Sequence, residues 1–512
     1  RYTKGHRVLS EGSIEINSTS EYFDKLREGF VIADQEERRA IIRKQCEELA
    51  KVKGGEVLMD EELLEEIVYL VEYPTALIGG FDAEYLKLPK EAVITPMKEH
   101  QRYFPVIDKN NNLMNYFITV RNGDSRFLET VQEGNEKVLR ARLADANFFY
   151  SEDRKESLDK CAEKLKNVVF QETLGTIYDK TQRIAAIAEY LAMVSGLSAS
   201  GKKNLLRAAY LCKADLVTNM VKEFDELQGI MGREYALLQG EDCEVADAIF
   251  EHYLPRFAGD ITPTTPNGSI LSISDKMDTI SGCFAIGIQP TGSQDPYALR
   301  RQAIGITSII LEDNIHLSLS HLTDNSLKHF VAKGILKGDG DSIKGSIIEF
   351  FRQRFKNVMI DRGIEYDVID AVIIAQFDDI YDSYLKIQEL SKWKHRDEFM
   401  KILGSFNRVS NLASKASSPE INESLFTEEA ELELYNAFNK SNAKFVNYVD
   451  NREYEKALEL MITLKKPIDD FFDKIMVMVE DEGIRNNRLG LLKSIGNMMN
   501  RIADLGVIVV NK

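Results

Sequence analysis

The basic side chains near the C-terminus have the type and spacing best suited to a chemical task. In the segment 480–501 (EDEGIRNNRLGLLKSIGNMMNR), Arg485 and Arg488 are three residues apart, so a helix places both on one face. Guanidinium groups bind phosphate, and the amide of Asn487 can pair with the edges of unstacked bases. A solvated helix surface is the alternative interpretation. From Arg485 to Lys512 the other positive charges are Lys493, Arg501 and Lys512, against a single acid, Asp504.

A second candidate lies in the segment 97–104 (MKEHQRYF). His100 and Arg102 stand beside Tyr103, and a mixture of aromatic and basic side chains suits base stacking and phosphate contact. The alternative is the entry to a strand, with Tyr103 and Phe104 packed in a core. We predict His100 and Arg102 as candidate nucleic-acid contacts.

The helical block 180–280 is the third candidate. Its spacing resembles that of the HD superfamily of metal-dependent phosphohydrolases, in which a His, a His-Asp pair and a distant Asp bind a metal. Here Lys180 stands at the first position and Lys213, followed by alanine, at the second, whereas Asp275 and His252 are of the right type. An ammonium has no lone pair to donate, so the pattern predicts a degenerate HD domain without a metal. The hypothesis is that both lysines face phosphate instead.

Strong catalytic motifs are missing from the sequence. There is no GxxxxGK[ST], HExxH or GxSxG, and no GxGxxG after a strand. The short adenylate-forming signatures of the HxGH and KMSKS type are also missing. This favours a binding or assembly subunit over a self-sufficient enzyme.

Composition limits the class of protein. The 512 residues, 44% hydrophobic and 29% charged, are typical of a globular protein with several domains. No apolar run approaches the roughly 18 residues that cross a bilayer, so no membrane partner is expected. The net charge of −17 argues against DNA and general polyanions, although a local basic face can bind one structured RNA. Five widely spaced cysteines without a CxxC pair indicate a reducing cytoplasm.

Local patterns predict a multidomain, predominantly α-helical chain with an N-terminal α+β region. In that region we expect helices at 35–53 and 60–71, and extended stretches at 14–17, 91–96, 102–107 and 116–121. Helical periodicity dominates from about residue 126, and its strongest apolar stripe predicts one helix over 367–391. A stretch rich in Ser, Asn and Lys at 411–425 predicts a linker. Four helices should follow it, at 427–440, 452–464, 467–480 and 484–504.

Several long segments resemble the beta subunit of bacterial glycyl-tRNA synthetase. They include EYPTALIGGFDAEYLKLP (72–89), KADLVTNMVKEFDELQGIMGREYALLQGE (213–241), SDKMDTISGCFAIGIQPTGSQDPYALRRQAIGI (274–306) and FFDKIMVMVEDEGIRNNRLGLL (471–492). The matches run from Gly5 to Asp504 and cover nearly the whole chain. Sequences of this family begin well before Arg1, so we expect the chain to be shortened at its N-terminus.

The resemblance implies a domain organisation. Residues 1–125 would form an α+β region like the editing-like module of the phenylalanyl-tRNA synthetase beta chain, and 126–168 a helical connector. Residues 169–310 would form the degenerate HD-like helical domain, and 311–410 a helical body. Residues 411–512 would form a helical-bundle anticodon-binding domain.

The resemblance also implies a function. Such beta chains join an alpha subunit in a heterotetramer of two alpha and two beta chains, and the alpha chain uses glycine, ATP and Mg. This chain would bind no cofactor and would position tRNA(Gly), at its acceptor and anticodon regions, for glycylation in the cytoplasm. The predicted contacts are Arg485, Asn487, Arg488, Lys493 and Arg501 in the anticodon domain, and His100, Arg102, Lys180 and Lys213 elsewhere.

Two other functions stay open at this point. An HD-type nucleotide phosphohydrolase would need a metal, with Asp275 as a ligand. A stand-alone tRNA-binding or editing protein would hydrolyse mischarged tRNA without a partner. No sequence feature requires either of them.

Overall fold

A computed structural model describes residues 1–509, so Lys512 of the predicted basic face lies outside the described residues. The chain divides into two compact units. The first comprises Arg1–Val169, Thr176–Tyr178 and Tyr210–Phe250, and the second Phe170–Gly175, Asp179–Ala209 and Glu251–Lys512. Helices dominate, and a four-stranded sheet lies in the N-terminal region, so the predicted fold class is confirmed. The five predicted domains and their boundaries stay predictions.

The first 168 residues combine strands with helices. The strands are β1 (Tyr2–Thr3), β2 (Ile14–Glu15), β3 (Glu56–Val57), β4 (Pro74–Gly80), β5 (Phe104–Ile107) and β6 (Leu113–Asn122). The helices are α1 (Tyr22–Glu28), α2 (Gln35–Val52), α3 (Glu61–Leu70), α4 (Lys90–Thr95), α5 (Leu128–Asp153) and α6 (Leu158–Lys164). The main sheet is antiparallel, in the order β3-β5-β6-β4.

Helices α2 and α3 begin where the sequence supplies an aspartate cap. The side chains of Asp34 and Asp60 accept hydrogen bonds from main-chain N–H groups of the first turn. The apolar faces of both helices then pack with the sheet in one buried core that includes Ile42, Leu64 and Ile118. Each such side chain contributes about 1.5–3 kcal/mol through burial.

From residue 169 to 394 the chain is almost entirely helical. Two short strands come first, β7 (Val169–Gln171) and β8 (Gly175–Thr176). The helices are α7 (Ile177–Val194), α8 (Ala199–Leu211), α9 (Asn219–Glu223), α10 (Ile230–Leu238), α11 (Cys243–Glu251), α12 (Pro266–Ala285), α13 (Leu299–Glu312), α14 (Leu319–Ala332), α15 (Gly340–Asp361), α16 (Tyr366–Ala375) and α17 (Ile380–Lys394). Helix α12 is buried along almost all of its length and packs against α13, α14 and α15.

The C-terminal region forms a helical bundle. Its helices are α18 (Asp397–Ala413), α19 (Glu429–Asp450), α20 (Tyr454–Ile462), α21 (Lys465–Lys474) and α22 (Glu482–Met499). Helix α18 packs along α22, and α19 packs against α20, α21 and α22. The four helices predicted after the linker are therefore present, with different ends, and α18 is a fifth member of the bundle.

Two predicted elements were wrong. The single helix over 367–391 is interrupted between α16 and α17, because Asp378 binds Ser318 and the main-chain N–H of Ser320 while Asp379 caps α17. The apolar stripe is buried as expected, but it belongs to two helices. The extended stretch at 91–96 is the helix α4, which buries the adjacent residues Ala92 and Val93, so packing overrides their strand preference.

Candidate functional site

Helices α7 and α12 of the second unit bring oppositely charged residues together in the interior. The Lys180 ammonium lies 2.8 Å from Asp275 Oδ1 and 3.2 Å from Asp278 Oδ2, and it donates to Thr279 Oγ1 at 2.7 Å. Lys180 is only 4% exposed. Burial opposes its charge, but the two carboxylates outweigh this effect and raise the pKa of Lys180.

Arg183, one helical turn after Lys180, completes this group. Its Nε donates to Asp278 Oδ1 at 2.6 Å, and a terminal nitrogen donates to Asp278 Oδ2 at 3.2 Å. His252 Nε2 lies 4.0 Å from Asp275 Oδ2. We call Lys180, Arg183, Asp275 and Asp278 the Lys180 cluster. Two cations already neutralise its two carboxylates. The predicted degenerate HD domain stays a prediction.

The predicted roles of Lys180 and Lys213 in phosphate contact stay predictions. Lys180 is buried and bound to acidic side chains, which supports a structural role. Lys213 belongs to the first unit and is 6% exposed. Its neighbour Asp215 is fully buried and accepts hydrogen bonds from the main-chain N–H groups of Gly229 and Gly232. Burial raises the pKa of Asp215 to about 6.

The C-terminal bundle contains a second buried ion pair. Arg488 on α22 donates from Nε to Glu431 Oε1 on α19 at 2.6 Å. Its two terminal nitrogens donate to the main-chain oxygen of Met476 at 2.9 Å and to Thr427 Oγ1 at 3.1 Å. Both side chains of the ion pair are almost fully buried. We call Arg488, Glu431, Thr427 and Met476 the Arg488 cluster. The guanidinium predicted to face RNA therefore points into the bundle.

The other polar residues of α22 hold two neighbouring chain segments in place. Arg485 donates to the main-chain oxygen of Val479 at 3.0 Å, in the loop that precedes the helix. Asn487 accepts from the N–H of Asn422, and Lys493 donates to the main-chain oxygen of Ala416, both in the predicted linker. The linker approaches α22 so closely that a Cβ at Gly490 would lie 2.3 Å from a main-chain oxygen. This linker is packed rather than extended.

The remaining predicted contacts also have partners within the protein. Arg501 pairs with Asp450 at 2.5 Å. Arg102 pairs with Glu66 at 2.8 Å, and the His100 ring packs edge-on against Phe224. Tyr103 and Phe104 are core residues, as the alternative interpretation of their segment expected. The proposed tRNA contacts of His100, Arg102 and Arg501 stay predictions.

Sequence patterns did not identify the loop between α21 and α22 as a surface feature. The segment IMVMVE was predicted as the end of a helix, but it is a loop that exposes the side chains of Met476 (75%) and Met478 (50%). Arg485 and Arg488 both donate to main-chain oxygens of this loop. We call residues 475–481 the methionine loop. An exposed apolar surface held in a fixed shape is typical of a binding site.

Two features are absent from the described residues. Within residues 1–509, no helix is long and apolar enough to cross a membrane. In the same part of the chain, no group of three or more His, Cys, Asp or Glu side chains could hold a metal ion.

The C-terminal bundle matches a known family of domains. Residues 402–512 match the DALR anticodon binding domain, which defines a protein of the aminoacyl-tRNA synthetase class. Residues 1–374 match the model of the glycyl-tRNA synthetase beta subunit. The chain therefore belongs to the glycyl-tRNA synthetase beta subunit family.

Individual relatives agree with this assignment. The glycine–tRNA ligase beta subunit of Clostridioides difficile is 52% identical over 507 residues, covering 99% of this chain and 73% of the relative. That of Desulforamulus reducens is 50% identical over 510 residues, covering the whole chain and 73% of the relative. That of Trichlorobacter lovleyi is 46% identical over 506 residues, covering 98% and 73%.

Proposed function

We propose that this chain binds tRNA(Gly) and positions it for ATP-dependent glycylation at the active site of an alpha subunit. Two alpha and two beta chains form the complex, in the cytoplasm, and the alpha chain uses ATP and Mg. The beta chain contributes substrate binding and orientation, which can supply much of a reaction's rate enhancement without a reactive group. It does not form the adenylate by itself.

The methionine loop carries the proposal. It belongs to the region similar to anticodon-binding domains, and it presents two exposed thioethers from a backbone fixed by Arg485 and Arg488. Polarizable side chains on a rigid support suit contact with the faces of unstacked bases. The loop is therefore our candidate for contact with the anticodon.

The Lys180 cluster supports a binding role for the HD-like region. An HD phosphohydrolase would use Asp275 as a metal ligand, but here Asp275 pairs with an ammonium at 2.8 Å. Metal analysis tests this point. Stoichiometric transition metal that is lost on Asp275→Asn substitution would favour the hydrolase over our proposal.

Direct binding tests the tRNA part of the proposal. The complex of the full-length beta chain with its alpha partner should bind tRNA(Gly), and an isolated anticodon stem–loop should compete for part of the interaction. A complex that shows the same affinity for tRNA(Gly) and for tRNAs with other anticodons and acceptor stems would contradict it.

A further inference from the structure

One arginine of the second unit lines a polar cavity, and a second arginine lies on a helix that packs against the helix of the first. Arg300 is in the first turn of α13 and Arg354 is on α15, and these two helices pack together. The cavity, about 470 Å³, is lined by Arg354 and by polar groups that include Gln289, Ser342 and Ser346. This region belongs to neither the Lys180 cluster nor the methionine loop.

The positive charge at this cavity is not balanced by a nearby acid. Among residues 1–509, neither Arg300 nor Arg354 has a carboxylate partner within 4 Å, although most cations of this acidic chain do. Asp295 attracts Arg354, but its two oxygens already accept the N–H groups of Leu299 and Arg300 at the start of α13. Glu349, the acid in the cavity wall, pairs with Arg352 at 2.8 Å.

Arg354 is held in position for a ligand. Its guanidinium stacks over the Phe350 ring at 4.2 Å and donates to Gln353 Oε1 at 2.9 Å. Burial and, after it, the charge of Arg300 lower the pKa of Arg354. An anion bound to Arg354 would offset both effects. The adjacent turn, Thr291–Gln294, adds exposed polar groups on the same chain segment.

We propose that Arg354 binds a backbone phosphate of the tRNA at this cavity and that the nearby charge of Arg300 strengthens the attraction. A guanidinium donates two parallel hydrogen bonds to a phosphate, and an arginine that stacks on an aromatic ring loses little freedom when it does so. The inference rests on the proposed function, because the phosphate is supplied by the RNA that the complex binds.

Charge-neutral variants test the proposal in the full complex. Arg300→Gln and Arg354→Gln should each weaken the affinity for a tRNA(Gly) transcript about tenfold, and each should reduce the slope of log affinity against log salt by about one. Arg362→Gln, at the end of the same helix and paired with Glu312, is the matched control, because neither residue lines the cavity, and it should leave both quantities unchanged. Thermal unfolding confirms that each variant is folded.

The other outcomes distinguish the phosphate contact at the cavity from the proposed function. Wild-type affinity in both folded variants would overturn this inference and leave the proposed function intact. No tRNA binding by the wild-type complex would overturn both. Titration with inorganic phosphate distinguishes the phosphate source. Saturable, arginine-dependent phosphate binding together with unchanged tRNA affinity in the variants would assign the cavity to a free phosphate and contradict the RNA contact.

Discussion

The Lys180 cluster and the Arg488 cluster are two buried groups of charges with different consequences. In the Lys180 cluster, two cations and two carboxylates neutralise one another in the interior, and none of the four side chains is exposed. In the Arg488 cluster, one guanidinium binds a buried carboxylate and also a main-chain oxygen of the exposed methionine loop. The first stabilises a core, and the second links a core to a candidate binding surface.

A cation can therefore support a candidate binding surface without reaching it. Lysine and arginine were predicted as phosphate contacts because of their charge. Lys180 and Arg488 are buried and paired with carboxylates, and a charge that is neutralised inside the protein attracts a distant phosphate only weakly. The predictions below test this difference, from the largest expected effect to the smallest.

Removing the Lys180 ammonium should have the largest effect on stability. Lys180→Met leaves Asp275 and Asp278 buried with one cation fewer, and breaking a buried ion pair costs about 3–5 kcal/mol. We expect the free energy of unfolding to fall by about that amount in urea titrations. Lys202→Met is the control, because Lys202 pairs with Glu189 at the surface and should cost under about 1 kcal/mol. Equal stability of the two variants would show that the cluster is not structural.

Breaking the Arg488 cluster should destabilise the bundle and also weaken tRNA binding. Arg488→Met leaves Glu431 buried without its cation, at a cost of about 3 kcal/mol, and frees the methionine loop. Adding Glu431→Gln should recover part of the stability but not the affinity, since the loop stays unsupported. Lys456→Met, which removes an exposed ion pair with Glu453 in the same bundle, serves as the control. Full recovery of tRNA affinity in the double variant would show that the Arg488 cluster does not support tRNA binding through the methionine loop.

Asp215 of the first unit should make stability depend on pH. Because burial raises its pKa from 3.8 to about 6, folding favours the protonated form. Its stabilising contribution is present below about pH 4 and is lost as the pH rises through 6, by up to about 3 kcal/mol. Asp215→Asn should therefore gain stability relative to wild type between pH 4 and pH 7. Parallel pH profiles for wild type and Asp215→Asn would refute the assignment.

Changes in the methionine loop itself should have the smallest effect on stability. Replacing Met476 and Met478 together by serine removes apolar surface from solvent, so stability should change by less than about 0.5 kcal/mol. The affinity for tRNA(Gly) should fall several-fold, because the contact of a thioether with an aromatic ring contributes about 0.3–1.5 kcal/mol. Met193→Ser, at another exposed methionine, should leave affinity unchanged. Fluorescence anisotropy measures the affinity of each variant for tRNA(Gly). Unchanged affinity in the double variant would exclude the loop as a tRNA contact.

Local sequence patterns predicted much of the fold. Periodicity located α2 and α3 closely, and Ser, Asn and Lys marked the segment that follows α18. The break between α16 and α17 was missed because it depends on Asp378 binding Ser318, 60 residues away. An apolar stripe shows which residues are buried, but it does not show whether the backbone is continuous.

The candidate site was less predictable for a related reason. Three-residue spacing on α22 gave Arg485 and Arg488 one face, but only the packing shows that Arg488 faces Glu431, 57 residues earlier in the chain. The broken HD pattern correctly placed Lys180 near Asp275, but gave no sign of Asp278 and Arg183. Arg300 and Arg354 lie 54 residues apart, so their proximity has no local signal.

The charging reaction tests the central claim most directly. The full-length beta chain, its alpha partner and a mixture of the two would each be given glycine, ATP, Mg and tRNA(Gly). Our account predicts glycyl-tRNA only in the mixture, with no glycine-dependent pyrophosphate exchange by the beta chain alone. Glycyl-tRNA formation by the beta chain without its partner, or by the alpha chain at the full rate of the mixture, would contradict it.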